Sequence, residues 1–397
     1  MAAPCRLRLR HLHLPSIHPH YIPYSLASRV QEHLRRQHLD FKDGSTRDHR
    51  PPPPPPPPPT LLSFTPSPIY TLGRRQTAPL TPTEVARLTS PLRVTPPPPP
   101  TPSSQQPPIS SVNNENEEIS RPRPQLLHSP RGGLTTYHGP GQVVLWPVLD
   151  LRSPLHRHYS VKCYARLLER TTIATLAAVF RVEAFTTDDP GVWVRRRRRV
   201  AQYEEGVEGA KGVEDGVEDE VEGEEVLGEG EKVLAKIAAL GVHLRRHVTA
   251  LGTAVNVAMP VGPEVVDEGV NPWARFVACG LEGRGVTCVA AELGDGGVEE
   301  VDERLLQQQL RRKGKEDGGP DGDGFAVGLG SWRERVVAGA WAEELARRIG
   351  IEGGVEMVGE EEAVRLMESL VEEGGLEGGD GIEREYLAQM RDLVRGR

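Results

Sequence analysis

A chain of 397 residues has length for two or three domains, yet 42 glycines, 37 prolines and an aromatic content of 5% leave far less than that to fill a core. The net charge of −8 is concentrated between Glu204 and Glu231, where thirteen acidic residues face one base, Lys211; without that block the balance is +4. A mildly basic remainder with no nucleic-acid motif suits acidic protein partners and argues against a nucleic-acid binder, and one folded domain interrupted by loops is the expectation.

Cys5, Cys163, Cys279 and Cys288 are too few and too irregularly spaced for a disulfide framework or a zinc site, so a reducing compartment and no metal are expected. No apolar run approaches the ~20 residues of a membrane span. The first acidic residue is Glu32, after Arg6, Arg8, Arg10 and Arg29. An arginine-rich, acid-poor start of this kind reads as a mitochondrial transit segment, taken over residues 1–11.

Along the chain, Ser25 is placed to cap a helix in which Leu26, Val30 and Leu34 form one apolar stripe. Nine prolines, Pro51 to Pro59, then enforce an extended segment, either an inert insertion or a ligand for a proline-binding domain. Leu61 to Gly73 reads as a strand and turn, and the Pro-, Ser- and Asn-rich stretch from Val94 to Pro124 as a disordered loop. Gln125 to Leu151 has the pattern strand, glycine loop, strand. A long helix follows on Val161, Tyr164, Leu167, Leu168 and Leu176, and Asp188-Asp189-Pro190-Gly191 turns into the strand Val192-Trp193-Val194. Arginines 195–199 and the acidic block read as a solvated, partly self-neutralising loop, with docking of an acidic carrier protein on the arginines as the alternative.

Two strands, Leu234 to Leu244 and Val248 to Val257, come next, with Cys288 on a further strand from Val286 to Ala291. Helices are expected at Glu299 to Arg312, Trp332 to Ile349, Glu360 to Glu373 and Ile382 to Val394, with a Gly/Asp loop from Lys313 to Gly330. Alternating strands and helices with no internal repeat predict an α/β sandwich.

Three segments can carry chemistry. Arg131-Gly132-Gly133-Leu134-Thr135-Thr136-Tyr137-His138-Gly139-Pro140-Gly141-Gln142 packs four glycines beside an arginine and a histidine, so backbone can approach a ligand closely while Arg131 and His138 grip its head. Cys279 sits in the glycine-rich turn Cys279-Gly280-Leu281-Glu282-Gly283. Its thiol, with an ordinary pKa of ~8.5, needs a positive neighbour to act as a nucleophile. Lys236, alone in the apolar strand Val233 to Gly241, is the candidate. By residue type alone, both have plainer readings: a packed thiol, and a strand-edge lysine reaching for water.

Taken together, these motifs resemble the lipoyl-protein octanoyltransferases. The first matches the family's RGGxxTYHGPGQ signature. Thr65-Pro66-Ser67-Pro68-Ile69-Tyr70-Thr71-Leu72-Gly73-Arg74-Arg75 resembles an early hPPVYTxGRR element. Lys236-Ile237-Ala238-Ala239-Leu240-Gly241 resembles KIAxxG, Gly252-Thr253-Ala254-Val255-Asn256-Val257 resembles GLALNV, and Cys279-Gly280 stands where the family has PCG. Leu251 replaces the histidine that usually precedes that glycine, and Ala278 replaces the proline before the cysteine.

The resemblance implies a mixed-sheet α/β sandwich like the biotin and lipoate protein ligase catalytic domain. It would span residues 12–350, interrupted by disordered low-complexity insertions at about 44–60, 94–124, 195–231 and 313–330, with a helical extension of unknown role over 351–397. It also implies octanoyl transfer from acyl carrier protein to a lipoyl-domain lysine through a Cys279 thioester, with Lys236 as base and no cofactor. Arg131, Gly132, Gly133, Leu134, Thr135, Thr136, Tyr137, His138, Ala239, Leu240, Gly241, Gly252, Thr253 and Ala254 would bind substrate, the last three offering backbone N–H groups to the thioester oxygen. The acceptors would be the lipoyl domains of 2-oxoacid dehydrogenase complexes and the glycine cleavage H protein, and the enzyme a mitochondrial monomer. Two alternatives stand: an ATP-dependent lipoate or biotin ligase on the same fold, and a non-catalytic proline-rich interaction protein.

Overall fold

The structure, a computed structural model, describes residues 7–44, 55–94, 121–197, 232–262, 265–277, 284–294, 296–313, 332–374 and 381–395. Its first half runs β1 (Leu9–His13), α1 (Tyr24–Gly44), β2 (Thr60–Phe64), β3 (Ile69–Leu72), α2 (Pro82–Leu88), β4 (Gln125–His128), β5 (Thr136–His138), β6 (Gln142–Val148) and α3 (Val161–Phe180). The second half runs β7 (Val192–Arg197), β8 (Lys232–Arg245), β9 (Val248–Asn256), β10 (Gly285–Val286), α4 (Val289–Leu293), α5 (Gly297–Lys313), α6 (Trp332–Ile349), β11 (Val355–Met357), α7 (Glu360–Glu373) and α8 (Gly381–Arg395).

A large mixed sheet has the order β10-β8-β9-β6-β2-β1-β11, with β7 also paired to β8; a small sheet has the order β4-β3-β5. In β6 every residue is buried, because both faces of the large sheet are covered. Val143, Leu145 and Leu149 face a core shared with α3, α5 and α6. Val144, Trp146 and Val148 face a second core shared with α1, α7 and α8. This is the mixed α/β architecture expected.

Local chemistry accounts for the ends of several elements. Ser160 caps α3 by accepting from the Cys163 N–H at 3.2 Å. Thr81 and Glu84 form a reciprocal capping box at the start of α2, with Pro82 in its first turn. That helix has no counterpart in the sequence reading, although Thr-x-x-Glu was there to be seen.

Several expectations need correction. Ser25 does not cap α1, which begins at Tyr24; its hydroxyl instead donates to Glu383 of α8 at 2.5 Å. Leu26, Val30 and Leu34 are buried as expected. The strand and turn from Leu61 resolve into two strands in different sheets. Arg195 to Arg197, read as the start of an insertion, extend β7 against Leu234 to Lys232; Arg195 lies over the Phe185 ring and Arg196 pairs with Glu292 at 3.1 Å, so two of the charges are met locally. Cys288 precedes helix α4 rather than lying within a strand. The segment from 351 onward is joined to the sheet: β11 pairs with β1 at Leu9 to His11. Most of the remaining low-complexity insertions lie outside the described residues, as do Pro51 to Pro54 of the proline run.

Candidate active site

The glycine loop is laced to the turn after β3. Arg74 N–H donates to the Arg131 carbonyl at 2.9 Å, Arg75 N–H to the Gly133 carbonyl at 3.1 Å and Gly73 N–H to the Leu134 carbonyl at 3.4 Å. A side chain at Gly73 would place its Cβ 2.3 Å from the Gly133 oxygen, and Gly133 itself turns at φ +83°, so both positions demand glycine. Arg131 is buried. Its Nε donates to Thr71 Oγ1 at 3.1 Å, its Nη2 to the Thr71 carbonyl at 2.5 Å, and its Nη1 to the Gly132 carbonyl at 3.0 Å. This guanidinium braces the loop on β3. Gly132, Leu134 and Thr135 complete the loop, and Thr136, Tyr137 and His138 form β5, paired with Thr71, Tyr70 and Ile69.

The large sheet meets this loop at β8. A Cβ on Gly241 would lie 3.0 Å from Arg131 Cδ, so the glycine admits the arginine stem. Ala239, Leu240 and Gly241 stand opposite Ala254, Thr253 and Gly252 in the β8–β9 register, and Thr253 Oγ1 donates to the Ala239 carbonyl at 2.8 Å. Six of the expected binding residues thus form one patch of ladder. Gly252 to Ala254 lie in β9, an interior strand between β8 and β6, where Thr253 and Ala254 have register partners on both sides. Gly252 is required by packing, since a Cβ there would sit 2.2 Å from the Leu145 oxygen. Beside it Leu251 turns at φ +60°, a left-handed conformation that a histidine tolerates better than a leucine.

Lys236 is buried in the half of β8 that pairs with β7 through Trp193 and with β10 through Val286. Its Nζ lies 4.6 Å from the Trp193 ring centroid. Gly191 leaves room for the lysine stem: a Cβ there would be 3.3 Å from Lys236 Cε. Glu169 of α3 holds that turn by accepting the Gly191 N–H at 3.1 Å, and burial raises its carboxyl pKa.

Cys279 lies outside the described residues. Both flanks are described. On one side, Phe276 joins a buried aromatic cluster with Trp273, Tyr70 and Tyr137. On the other, Arg284 lies over Trp193 at 5.3 Å and pairs with Asp189, before β10 runs alongside Lys236. Cys288 is buried, with its thiol pKa pushed up by desolvation; Cys163 is exposed on α3.

Sequence reasoning gave no role to the side chains beyond the glycine loop. His138 Nδ1 lies 2.8 Å from Gln142 Oε1, Gln142 Nε2 donates to Asn256 Oδ1 at 2.8 Å, and Asn256 Nδ2 donates to the Thr287 carbonyl at 2.9 Å. Burial, then the Arg131 charge, lower the His138 pKa to about 4. Tyr24 of α1 stacks on the imidazole at 5.8 Å. Gln142 and Asn256 were visible as the last polar residues of their motifs, but nothing in the sequence joined them.

The family model of the lipoyl protein ligase A/B catalytic domain matches residues 111–309. A mitochondrial octanoyltransferase of Saccharomyces cerevisiae is 24% identical over 328 residues, 74% of this chain and 78% of that protein. A mitochondrial octanoyl-[acyl-carrier-protein]:protein N-octanoyltransferase of Danio rerio is 27% identical over 278 residues, 70% of this chain and 82% of that protein. A bi-partite lipoate protein ligase from Thermoplasma acidophilum superposes with a TM-score of 0.38 at 12% identity, covering 94% of this chain and 92% of that one, a likeness too slight to add to the fold described above. By its catalytic-domain match and these relatives, the chain belongs to the lipoyl protein ligase A/B catalytic domain family, among its octanoyltransferases, and is an acyltransferase.

Proposed function

We propose that the chain transfers an octanoyl group from octanoyl-acyl carrier protein to a lysine of a lipoyl domain, through a thioester on Cys279 with Lys236 as base. The observation that carries this reading is the placement of Lys236. It is a buried amine inside β8, and β10, the strand beside it, begins a few residues after Cys279 in the chain. The cysteine would attack the carrier thioester, forming one carbon–sulfur bond as the carrier thiol leaves. The acceptor amine would then attack the acyl-enzyme, and its proton would pass to a base as the Cys279 thiolate departs. Lys236 favours a nearby thiolate as a cation and takes up a proton as a neutral amine.

Lipoyl domains of 2-oxoacid dehydrogenase complexes and the glycine cleavage H protein are the acceptors this reading names. It needs no cofactor, because the incoming thioester is already activated. Mitochondrial action is proposed from the arginine-rich start and from the two mitochondrial relatives. A monomer is the proposed working state. Among the described residues no helix is long and apolar enough to cross a membrane.

The test is intact mass after mixing the purified chain with octanoyl-acyl carrier protein, beside Cys279→Ala. One octanoyl adduct, labile to hydroxylamine and missing in the variant, is expected. A folded protein that gains no adduct, or one that acylates its acceptor only with ATP, would overturn the cysteine mechanism in favour of ligase chemistry.

A further inference from the structure

The buried chain of amides behind the glycine loop has a direction, and a backbone carbonyl sets it. The Thr287 carbonyl can only accept, so the Asn256 group facing it at 2.9 Å must be the NH2. Asn256 then turns Oδ1 toward Gln142, which must answer with its own NH2 at 2.8 Å. That leaves Gln142 Oε1, an acceptor, against His138 Nδ1 at 2.8 Å. A nitrogen facing an acceptor must carry the proton, and a neutral imidazole has only one.

We infer that Gln142 and Asn256 are positioning residues that lock His138 as its Nδ1–H tautomer, so that Nε2 presents a lone pair at the acyl-transfer site. His138, Gln142, Asn256 and Thr287 are all buried, which keeps water from supplying alternative partners. Around the ring stand Tyr24 of α1, stacked at 5.8 Å, and the Arg131 guanidinium of the glycine loop, whose charge disfavours a second proton on the imidazole. The same chain reaches the other side of the site: Thr287 N–H donates to the Lys236 carbonyl at 3.0 Å. One relay therefore joins the glycine loop to the strand that bears the candidate base. Nε2 selects for a donor, such as the amine of an incoming lysine, where the other tautomer would select for an acceptor.

The tautomer lock stands on geometry alone; its catalytic consequence rests on the acyl-transfer reading. The test is long-range ¹H–¹⁵N correlation on the full chain labelled at histidine nitrogens, with the His138 signal assigned by its loss in His138→Gln. The wild type should show a protonated Nδ1 and a bare Nε2 between pH 6 and 8. Asn256→Leu, similar in shape but unable to orient Gln142, should move His138 toward the Nε2–H form and lower kcat for octanoyl transfer by about tenfold or more, with KM little changed. Gln142→Met should do the same and stands in if Asn256→Leu does not fold. An Nε2–H signal in the wild type, or folded variants that leave tautomer and kcat unchanged, would overturn the lock. A shifted tautomer with unaltered kcat would overturn its part in catalysis. A locked Nδ1–H in a wild type that transfers no octanoyl group would instead count against the proposed function and leave the lock standing.

Discussion

Lys236 Nζ rests on the face of Trp193, 4.6 Å from the ring centroid. Trp193 is wholly buried and pairs with Lys236 across β7 and β8, so the cation and the ring are held by the same ladder. A ring face stabilises a desolvated cation by about 2 kcal/mol. Lys236→Met should therefore keep the fold while lowering octanoyl transfer by about a hundredfold or more. Circular dichroism and single-turnover transfer assays measure the two effects separately. Trp193→Leu should lose activity and stability together, the latter by roughly 3 kcal/mol because a large buried side chain is truncated.

The glycines around Arg131 differ in what a methyl group would meet, and their alanine variants should rank accordingly. At Gly73 the obstacle is the Gly133 oxygen at 2.3 Å, and at Gly252 the Leu145 oxygen at 2.2 Å. Both are backbone atoms, so something structural must shift. At Gly241 the nearest atom is Arg131 Cδ at 3.0 Å, on a side chain pinned at its far end by Thr71. Gly73→Ala and Gly252→Ala should lower the melting temperature markedly, whereas Gly241→Ala should melt near the wild type and raise KM. A Gly241→Ala enzyme with unchanged kinetics would remove Arg131 from the working site.

Glu334, buried near the start of α6, has its pKa raised by desolvation to about 7. A carboxyl whose folded pKa lies above its unfolded value of 4.5 stabilises the protein fully below pH 4.5 and loses that contribution as pH rises to about 7. The shift corresponds to about 3 kcal/mol. Buried His38 and His138 act in the opposite sense. Their pKa values fall from 6.5 to about 4, so the stability they contribute is complete above pH 6.5 and drains away toward pH 4. Glu334→Gln should raise the melting temperature at pH 8 far more than at pH 5. An equal rise at both would show that Glu334 is ionised throughout.

The N-terminal boundary is open to a direct test. Leu9 to His13 form β1, an interior strand with β2 on one edge and β11 on the other. A transit segment ending at residue 11 would take three of that strand's five residues with it. Deleting residues 1–6 should leave the melting temperature unchanged, and deleting residues 1–13 should prevent folding or expose the edges of β2 and β11 to aggregation. N-terminal sequencing of protein recovered from mitochondria should place any cleavage before Leu9.

What could be read in the sequence was whatever depends on near neighbours. The helix Trp332 to Ile349 and the strands β8 and β9 follow from apolar periodicity, and each appears within a residue or two of its expected ends. β11 is not legible because the alternation of Val355-Glu356-Met357 is too short to mark a strand; it is extended because β1 is there to pair with it. The bracing of Arg131 is not legible in the sequence, since Thr71, which engages its guanidinium, lies far earlier in the chain. The relay failed for the same reason: Gln142 and Asn256 are 114 positions apart, and only the β6–β9 register makes them neighbours.

The pairing of Arg197 with Lys232 says something about how this gene can change length. The chain leaves β7 and re-enters β8 at adjacent rungs, so everything between departs from and returns to one point on the sheet. The entropy of closing such a loop grows only as the logarithm of its length, about 0.6 kcal/mol for each doubling. Residues 198–231 can therefore lengthen, shorten or be exchanged for a foreign domain at little entropic cost to the scaffold, and the same rung offers a place to graft a reporter.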